Sequence, residues 1–350
     1  MGPAAPRVGF IALALVACMG LSLWNFHDES LSWKSAGIDP LEDPSNVQIV
    51  EYSTTGASGP TAHAIFAADK ATDHFCMTMK IAIAEGWQPV VVNWAYQPKL
   101  SFQKAKIAGW KDYLSTSVIP DDDIIFLLDS FDLWLQVGPQ EAVKRYLAVE
   151  SRYGMGPVLV SAEKNCWPFQ ADDEICYKQA NSSLPEDAYG PTTDQKPETS
   201  RPRYLNSGTF IGRKRDILHV LALIQARLED GEQYFDDQHV AALLYLEEGD
   251  RLFRLDYEQN MAMTMHLAVD DIVWMPDKSV IGDGKMRGWN LFSGTMPVLI
   301  HWNGAAKGPM EETFRSIHPL YKEELDDDQA FTIQDGKRLS FNSICRALRL

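Results

Sequence analysis

The segment that most constrains this chain is 123–128, DIIFLL, in which five apolar residues follow an aspartate without alternation. A half-exposed strand alternates apolar and polar residues, so a short run apolar on both faces belongs inside a parallel sheet covered by helices. Neighbouring segments supply the rest of such a sheet. Residues 63–68 (HAIFAA) read as a strand, 73–85 as a helix and 89–93 (PVVVN) as a second strand, which is a βαβ beginning. Helical periodicity returns at 139–149, and 158–162 (VLVSA) repeats the strand signal. A short strand is expected at 210–213, helices at 214–228 and 236–245, and a late strand at 298–302 (VLIHW). The polar, Pro-, Asp- and Ser-rich stretch 163–203 reads as a long surface loop. No internal repeat is present. The expected fold class is α/β, a sandwich on a mainly parallel central sheet, in which ligands bind beyond the carboxyl ends of the strands.

Composition narrows the partners. Forty-eight acidic against 32 basic residues leave a net charge of -16, which repels phosphate backbones and argues against a nucleic-acid partner. Arg7 precedes an uncharged run at 8–24, whose 17 residues would extend roughly 25 Å as a helix. Residues 1–24 therefore read as a signal anchor, or as a cleaved signal peptide with Ala17, Cys18 and Gly20 near the cut. Either reading sends the rest into the lumen of the secretory pathway, endoplasmic reticulum or Golgi. The anchor makes a single-pass type II membrane protein, and cleavage makes a secreted one. Residues 25–58, broken by Pro40 and Pro44, read as a stem, 59–320 as the globular domain and 321–350 as a tail. Cys76, Cys166, Cys176 and Cys345 are an even number for an oxidising lumen, and Cys166 with Cys176 can staple one loop. Asn181 opens an Asn-Ser-Ser glycosylation triplet.

The chemistry gathers at two strand ends. Immediately after Leu128 come Asp129 and Asp132, two carboxylates that repel unless a cation lies between them. A hard divalent ion such as Mn²⁺ or Mg²⁺ takes such oxygens and a diphosphate together. The plain alternative is a turn cap after a strand. At 298–307 a second apolar strand runs into His301, then Gly304 and Lys307. His301 can supply a third ligand, Gly304 lets backbone approach an anion, and Lys307 can meet a phosphate. The alternative is a core histidine before a glycine turn.

Five blocks, IIFLLDSFD (124–132), VLVSAEKNCWP (158–168), RYLNSGTFIG (203–212), FDDQ (235–238) and VLIHWNGAAK (298–307), follow one another in this order. In them the chain resembles the glycosyltransferase domain of the multifunctional procollagen lysyl hydroxylases and its single-domain relatives. The resemblance implies a GT-A, Rossmann-like nucleotide-binding sandwich and a Mn²⁺-dependent reaction with a UDP-sugar. It makes Asp129, Asp132 and His301 metal ligands that hold the donor diphosphate. Phe131 stands where the family has a tyrosine over the uracil. Trp94 matches a tryptophan on the other side of the base, and Gln103-Lys104 a Gln-Lys near the phosphates, with Gly304 and Lys307. Asn206, Ser207 and Gly208, just before the strand TFIG, fall to the donor sugar, and Glu163 and Trp167 to the sugar or acceptor. Asp236 and Asp237 match an acidic pair near the transferred sugar and are the catalytic candidates. Plainer roles stand beside these: strand-end core for Trp94, a solvated helix charge for Lys104, a packing anchor for Trp167, a backbone hydrogen bond for Glu163 and a helix cap for Asp236 and Asp237.

The reaction so implied moves glucose or galactose to a hydroxyl of a protein or glycan acceptor through an oxocarbenium-like state. The iron site of the fused lysyl hydroxylase needs a His-x-Asp, and none occurs among the eight histidines. With only a short stretch after Lys307, no hydroxylase is expected in this sequence. A catalytically inactive nucleotide- or sugar-binding scaffold and a metal-dependent phosphohydrolase are the rival readings, and neither accounts for five ordered blocks.

Overall fold

A computed structural model describes residues 59–96, 101–170, 172–230, 236–317, 325–326 and 328–345. The apolar run at 8–24 and the stem at 25–58 lie outside the described residues. Among the described residues no helix is long and apolar enough to cross a membrane.

The described part begins with β1 (Ala62–Ala67), α1 (Asp73–Ala84) and β2 (Val90–Val92), followed by α2 (Phe102–Thr116), β3 (Ile124–Asp129) and β4 (Leu133–Leu135). Then come α3 (Pro139–Tyr153), β5 (Val158–Glu163), the short α4 (Glu174–Lys178) and β6 (Tyr204–Arg213). Helices α5 (Lys214–Glu229) and α6 (Asp237–Glu248) lead to β7 (Phe253–Asp256) and β8 (Ala262–Thr264). A two-stranded ribbon, β9 (Ile272–Pro276) and β10 (Met286–Asn290), precedes β11 (Leu299–His301) and α7 (Lys307–Ile317). The described part closes with β12 (Ala330–Ile333), β13 (Arg338–Ser340) and α8 (Phe341–Cys345).

Among the described residues, eleven strands form one sheet in the order β13-β12-β2-β1-β3-β6-β5-β8-β11-β4, with β7 also pairing β5. The pairings make β12, β2, β1, β3, β5, β7, β8 and β11 run in one direction, with β13, β6 and β4 reversed. The sheet is therefore mainly parallel, as the unalternating β3 sequence requires. Successive side chains of β3 point to opposite faces. Ile124, Phe126 and Leu128 accordingly join one core cluster with Phe66 and Phe331, and Ile125 and Leu127 a second with Trp110 and Phe210.

Register brings the chemistry to one rim. Val92, Ala67 and Asp129 stand side by side at the carboxyl ends of β2, β1 and β3. Ala162, one residue before Glu163, pairs with Met263 of β8, whose neighbour Thr264 pairs with His301 of β11.

Two expectations are corrected here. Strand β6 starts at Tyr204, so Asn206, Ser207 and Gly208 lie within it rather than before a strand at 210–213. The register with β5 jumps from Ser161↔Asn206 to Val160↔Phe210, and a bulge of this kind bends a strand and re-aims its side chains. The second concerns the tail at 321–350. Its residues 330–345 are part of the globule: β12 pairs with β2, β13 with β12, and Phe331 and Ile333 are buried. Cys345 is moreover disulfide-bonded to Cys76 of α1. Cys166 and Cys176 form the expected second disulfide.

Candidate active site

Asp129 ends β3, and the next residue fixes the turn: the Ser130 hydroxyl donates to the Ala67 carbonyl across 2.6 Å. The Asp132 carbonyl accepts the Trp302 N–H at 2.7 Å, and Leu133 pairs with His301. These backbone contacts lay Asp132 against the histidine. Nε2 of His301 is 3.4 Å from Asp132 Oδ1 and 3.8 Å from Asp129 Oδ2. One ligand atom from each of the three residues lies within 4.8 Å of the others.

Asn206 orients the imidazole. Its Oδ1 accepts the Gly208 N–H at 3.0 Å, which assigns the amide, and the same oxygen is 3.1 Å from His301 Nδ1. The ring proton therefore sits on Nδ1, and Nε2 is turned toward the carboxylates. Burial works against a charged imidazole, but Asp132 and Asp129 outweigh it and raise the His301 pKa. The pocket thus favours a positive partner at Nε2, either a proton or a metal ion. Two carboxylates and an imidazole held by an outer hydrogen bond suit a divalent cation.

Two lysines face these carboxylates. Lys307, at the start of α7, is half-exposed with Nζ 2.9 Å from Asp132 Oδ2. Burial raises the Asp132 pKa, yet His301 and Lys307 pull it the other way, to about 2. Lys106 of α2 is buried, 3.0 Å from Asp129 Oδ1 and 2.8 Å from Asp237 Oδ2, with Nζ above the Trp110 ring. Burial disfavours its charge, but the two carboxylates prevail and its pKa is raised. Sequence reasoning pointed to Lys104 instead. Residues two apart on a helix are turned by about 200°, and Lys104 lies in the first turn, away from the Asp129–Asp237 pair. The available signal was periodicity, since Lys106 shares the buried stripe of Trp110 and Leu114.

Of the acidic pair, Asp236 caps α6, its Oδ1 accepting the His239 N–H at 2.7 Å, and burial raises its pKa. Asp237 is buried against Lys106.

A cavity of about 510 Å³ opens beside the trio, lined among others by Asp129, Asp132, Glu163, Trp167, His266 and Lys307. Asn206, Gly208, Gln238, His301, Asn303 and Gly304 complete most of its wall. Glu163 is buried and accepts from Gln238 Nε2 at 2.6 Å and Asn303 Nδ2 at 2.8 Å, and burial pushes its pKa up to about 7. Its partners are thus side-chain amides. Gln238 Nε2 also donates to the Trp167 carbonyl at 2.9 Å, while its Oε1 accepts the Ser207 N–H at 3.1 Å. A Cβ on Gly208 would stand 2.1 Å from His301 Cε1, so only glycine fits there. Trp167, the residue after Cys166, is 56% exposed at the mouth. Trp94 and Phe131 follow β2 and β3 on the same rim, outside this cavity's wall. Trp94 packs on Phe75 and Phe331 with ring centroids 5.5 Å apart in each case, and Phe131 lies 6.3 Å from Phe102. Asn181 is exposed.

A mainly parallel sandwich with an Asp-Asp-His cluster at its carboxyl rim defines a GT-A-type α/β domain. The chain matches the family model of the PLOD GT domain over residues 103–324 and belongs to that glycosyltransferase family. It is 30% identical over 191 residues to a multifunctional procollagen lysine hydroxylase and glycosyltransferase LH3 of Pongo abelii, covering 53% of this chain and 21% of that protein. Procollagen-lysine,2-oxoglutarate 5-dioxygenase 1 of Gallus gallus is 25% identical over 203 residues, 58% of this chain and 23% of the relative. Uncharacterized protein R699 of Acanthamoeba polyphaga mimivirus is 28% identical over 191 residues, 54% and 33% of the two chains. The chain thus spans between a fifth and a third of these relatives. Among solved structures, a glycosyltransferase involved in the glycosylation of the major capsid of PBCV-1 superposes with a TM-score of 0.43 at 10% identity, over 72% of this chain and 98% of that one.

Proposed function

We propose that this domain transfers a hexose, glucose or galactose, from a UDP-sugar to a hydroxyl of a protein or glycan acceptor, with Mn²⁺ or Mg²⁺ as cofactor. The observation that carries the reading is the Asn206-oriented His301 facing Asp129 and Asp132 at the wall of the cavity. Asp129, Asp132 and His301 would hold the cation, which when bound supplies charge neutralisation to the leaving diphosphate. Lys307 and the Gly304 turn meet phosphate oxygens from the same side. Phe131 and Trp94 offer rings for the nucleobase. Asn206 and Gly208 form the floor under the sugar, with Ser207 fixed behind them on Gln238. Glu163, whose raised pKa lets it exist in either protonation state near neutrality, and the exposed Trp167 border the space for sugar and acceptor. Asp237, held by Lys106, supplies negative potential near the anomeric carbon from beneath, and Asp236 fixes the helix that carries it. Two disulfides and the exposed Asn181 triplet support a secretory lumen, with the segment at 8–24 as anchor or signal.

The test is a donor screen with the full chain, several UDP-sugars and Mn²⁺ or Mg²⁺, reading released UDP from wild type and Asp132→Ala. Metal-dependent release that the substitution abolishes is expected. Absence of turnover together with absence of UDP binding overturns the reading.

A further inference from the structure

The cavity contains a second histidine that the cation cluster does not use. His266 stands two residues beyond β8, between the strands that carry Glu163 and His301, and lines the cavity half-buried. It is not one of the three residues whose ligand atoms converge. Both its backbone and its ring are nonetheless fixed. Asn303 Oδ1 accepts the N–H groups of Met265 and His266 at 3.0 and 2.9 Å, while the same side chain donates to Glu163. The ring Nδ1 accepts the Ala305 N–H at 3.3 Å. The ring lies so close over Gly304 that a Cβ there would be 2.7 Å from Nδ1 and 2.9 Å from Cγ.

The tautomer follows from these contacts. A backbone N–H can only donate, so Nδ1 is an acceptor and a neutral ring carries its proton on Nε2. Burial lowers the His266 pKa, which keeps the ring neutral. A histidine in this state has no lone pair free to take a proton from an acceptor hydroxyl. What it brings to the cavity is one directed N–H donor. The ring that carries it lies with Nδ1 and Cγ over the turn 304–306, which leads directly into α7 and Lys307, the cationic side chain of the same wall. A rigid neutral donor beside a lysine at the start of a helix suits an oxyanion with several acceptor oxygens.

We infer that His266 Nε2–H donates to the diphosphate of the bound nucleotide, so that with Lys307 it makes the site recognise a nucleoside diphosphate over a monophosphate. This rests on the nucleotide-sugar reading above. It also gives Gly304 a reason beyond its φ of +57°, because any side chain at that position would push the imidazole off the turn.

The experiment measures Mn²⁺-supported binding of UDP and of UMP to the full-length wild type, His266→Phe, His266→Gln and Gly304→Ala, with thermal unfolding of each as a folding check. Loss of a hydrogen bond to a charged group predicts about ten- to a hundredfold weaker UDP binding in His266→Phe with UMP binding unchanged. His266→Gln, which keeps a side-chain N–H donor, restores much of the loss, and Gly304→Ala reproduces it by displacing the ring. If His266→Phe keeps the wild-type ratio of UDP to UMP affinity, or loses both nucleotides equally, the inference is wrong while the transferase reading stands. If wild type binds neither nucleotide, the transferase reading falls and takes this one with it.

Discussion

Replacing Gly208 by alanine probes the site at its tightest point. The added Cβ would stand 2.1 Å from His301 Cε1, 2.7 Å from Nδ1 and 2.9 Å from Nε2. Carbon atoms settle at about 3.5–4.0 Å, so the ring or the strand must give way by about 1.5 Å. His301 is 2% exposed, tied to Asn206 at 3.1 Å on one side and facing Asp132 at 3.4 Å on the other. A displacement of that size breaks the Asn206 bond and takes Nε2 out of line with both carboxylates. Overpacking of this kind costs about 1–3 kcal/mol, and each kcal/mol lowers the Tm of a domain this large by roughly 2–4 °C. Loss of the outer hydrogen bond of a ligating histidine should weaken divalent-ion binding about 10- to 100-fold. Calorimetric unfolding gives the first number, and Mn²⁺ quenching of tryptophan fluorescence gives the second, since Trp302 adjoins His301. Gly212→Ala, on the same strand but with its nearest contact at 3.4 Å, is the control expected to do little. Wild-type Tm and wild-type Mn²⁺ affinity in Gly208→Ala would refute the placement of His301 against β6.

Glu163→Gln tests the buried carboxyl. Its folded pKa of about 7 lies above its ordinary 4.5, so the wild type loses stability as pH rises between those values, by up to about 3 kcal/mol. The amide variant lacks that slope, and a wild-type minus variant difference that is flat from pH 4.5 to 7 rules the raised value out. Lys106→Met leaves Asp129 and Asp237 without their shared cation and should cost about 3–5 kcal/mol, part of it recovered by Mn²⁺. A variant as stable as wild type in chemical denaturation contradicts the ion pairs. Cys345→Ser removes the covalent tie between α8 and α1 and should cost about 2–4 kcal/mol under non-reducing conditions. The expected penalty disappears when both proteins are compared fully reduced, and a penalty that persists argues for a packing defect instead.

The sequence carried the parallel core because β3 and β1 are buried on both faces, and an unbroken apolar run has few other places to go. The convergence of Asp129, Asp132 and His301 was legible for the same reason: each follows or ends an apolar strand, and strand ends of one direction share a rim. Strand β6 was half hidden. Asn206 to Gly208, in its first half, are polar or small where the strand meets the β5 bulge and passes under His301, and this masks the strand pattern. The four residues of β12 and five of α8 are too short to show a period, and the partner of Cys345 lies 269 residues away, beyond what cysteine spacing reveals. Sequence reasoning did not single out Lys106. Only its place on the Trp110 stripe distinguished it, and an apolar stripe interrupted by one lysine is ambiguous until its carboxylates are found.

The two lysines of the site differ in a way that assigns them different work. Lys106 has a side chain only 6% exposed and two carboxylate partners, so if one partner is claimed by another cation the second still holds it. It is a fixed charge between the partly exposed Asp129 and the buried Asp237, and it offsets the cost of burying Asp237 near another carboxylate. Lys307 is 48% exposed and pairs with Asp132 alone, a member of the cluster suited to a divalent ion. Competition for Asp132 therefore releases Lys307 and not Lys106, and the released ammonium remains on the cavity wall beside His266 and Gly304. On the proposed reading, a lysine with one exchangeable partner and a lysine with two carboxylate partners would separate phosphate capture from charge balance. That separation would let a chain with a net charge of -16 concentrate carboxylates at one rim and still present donors to the anionic ligand proposed above.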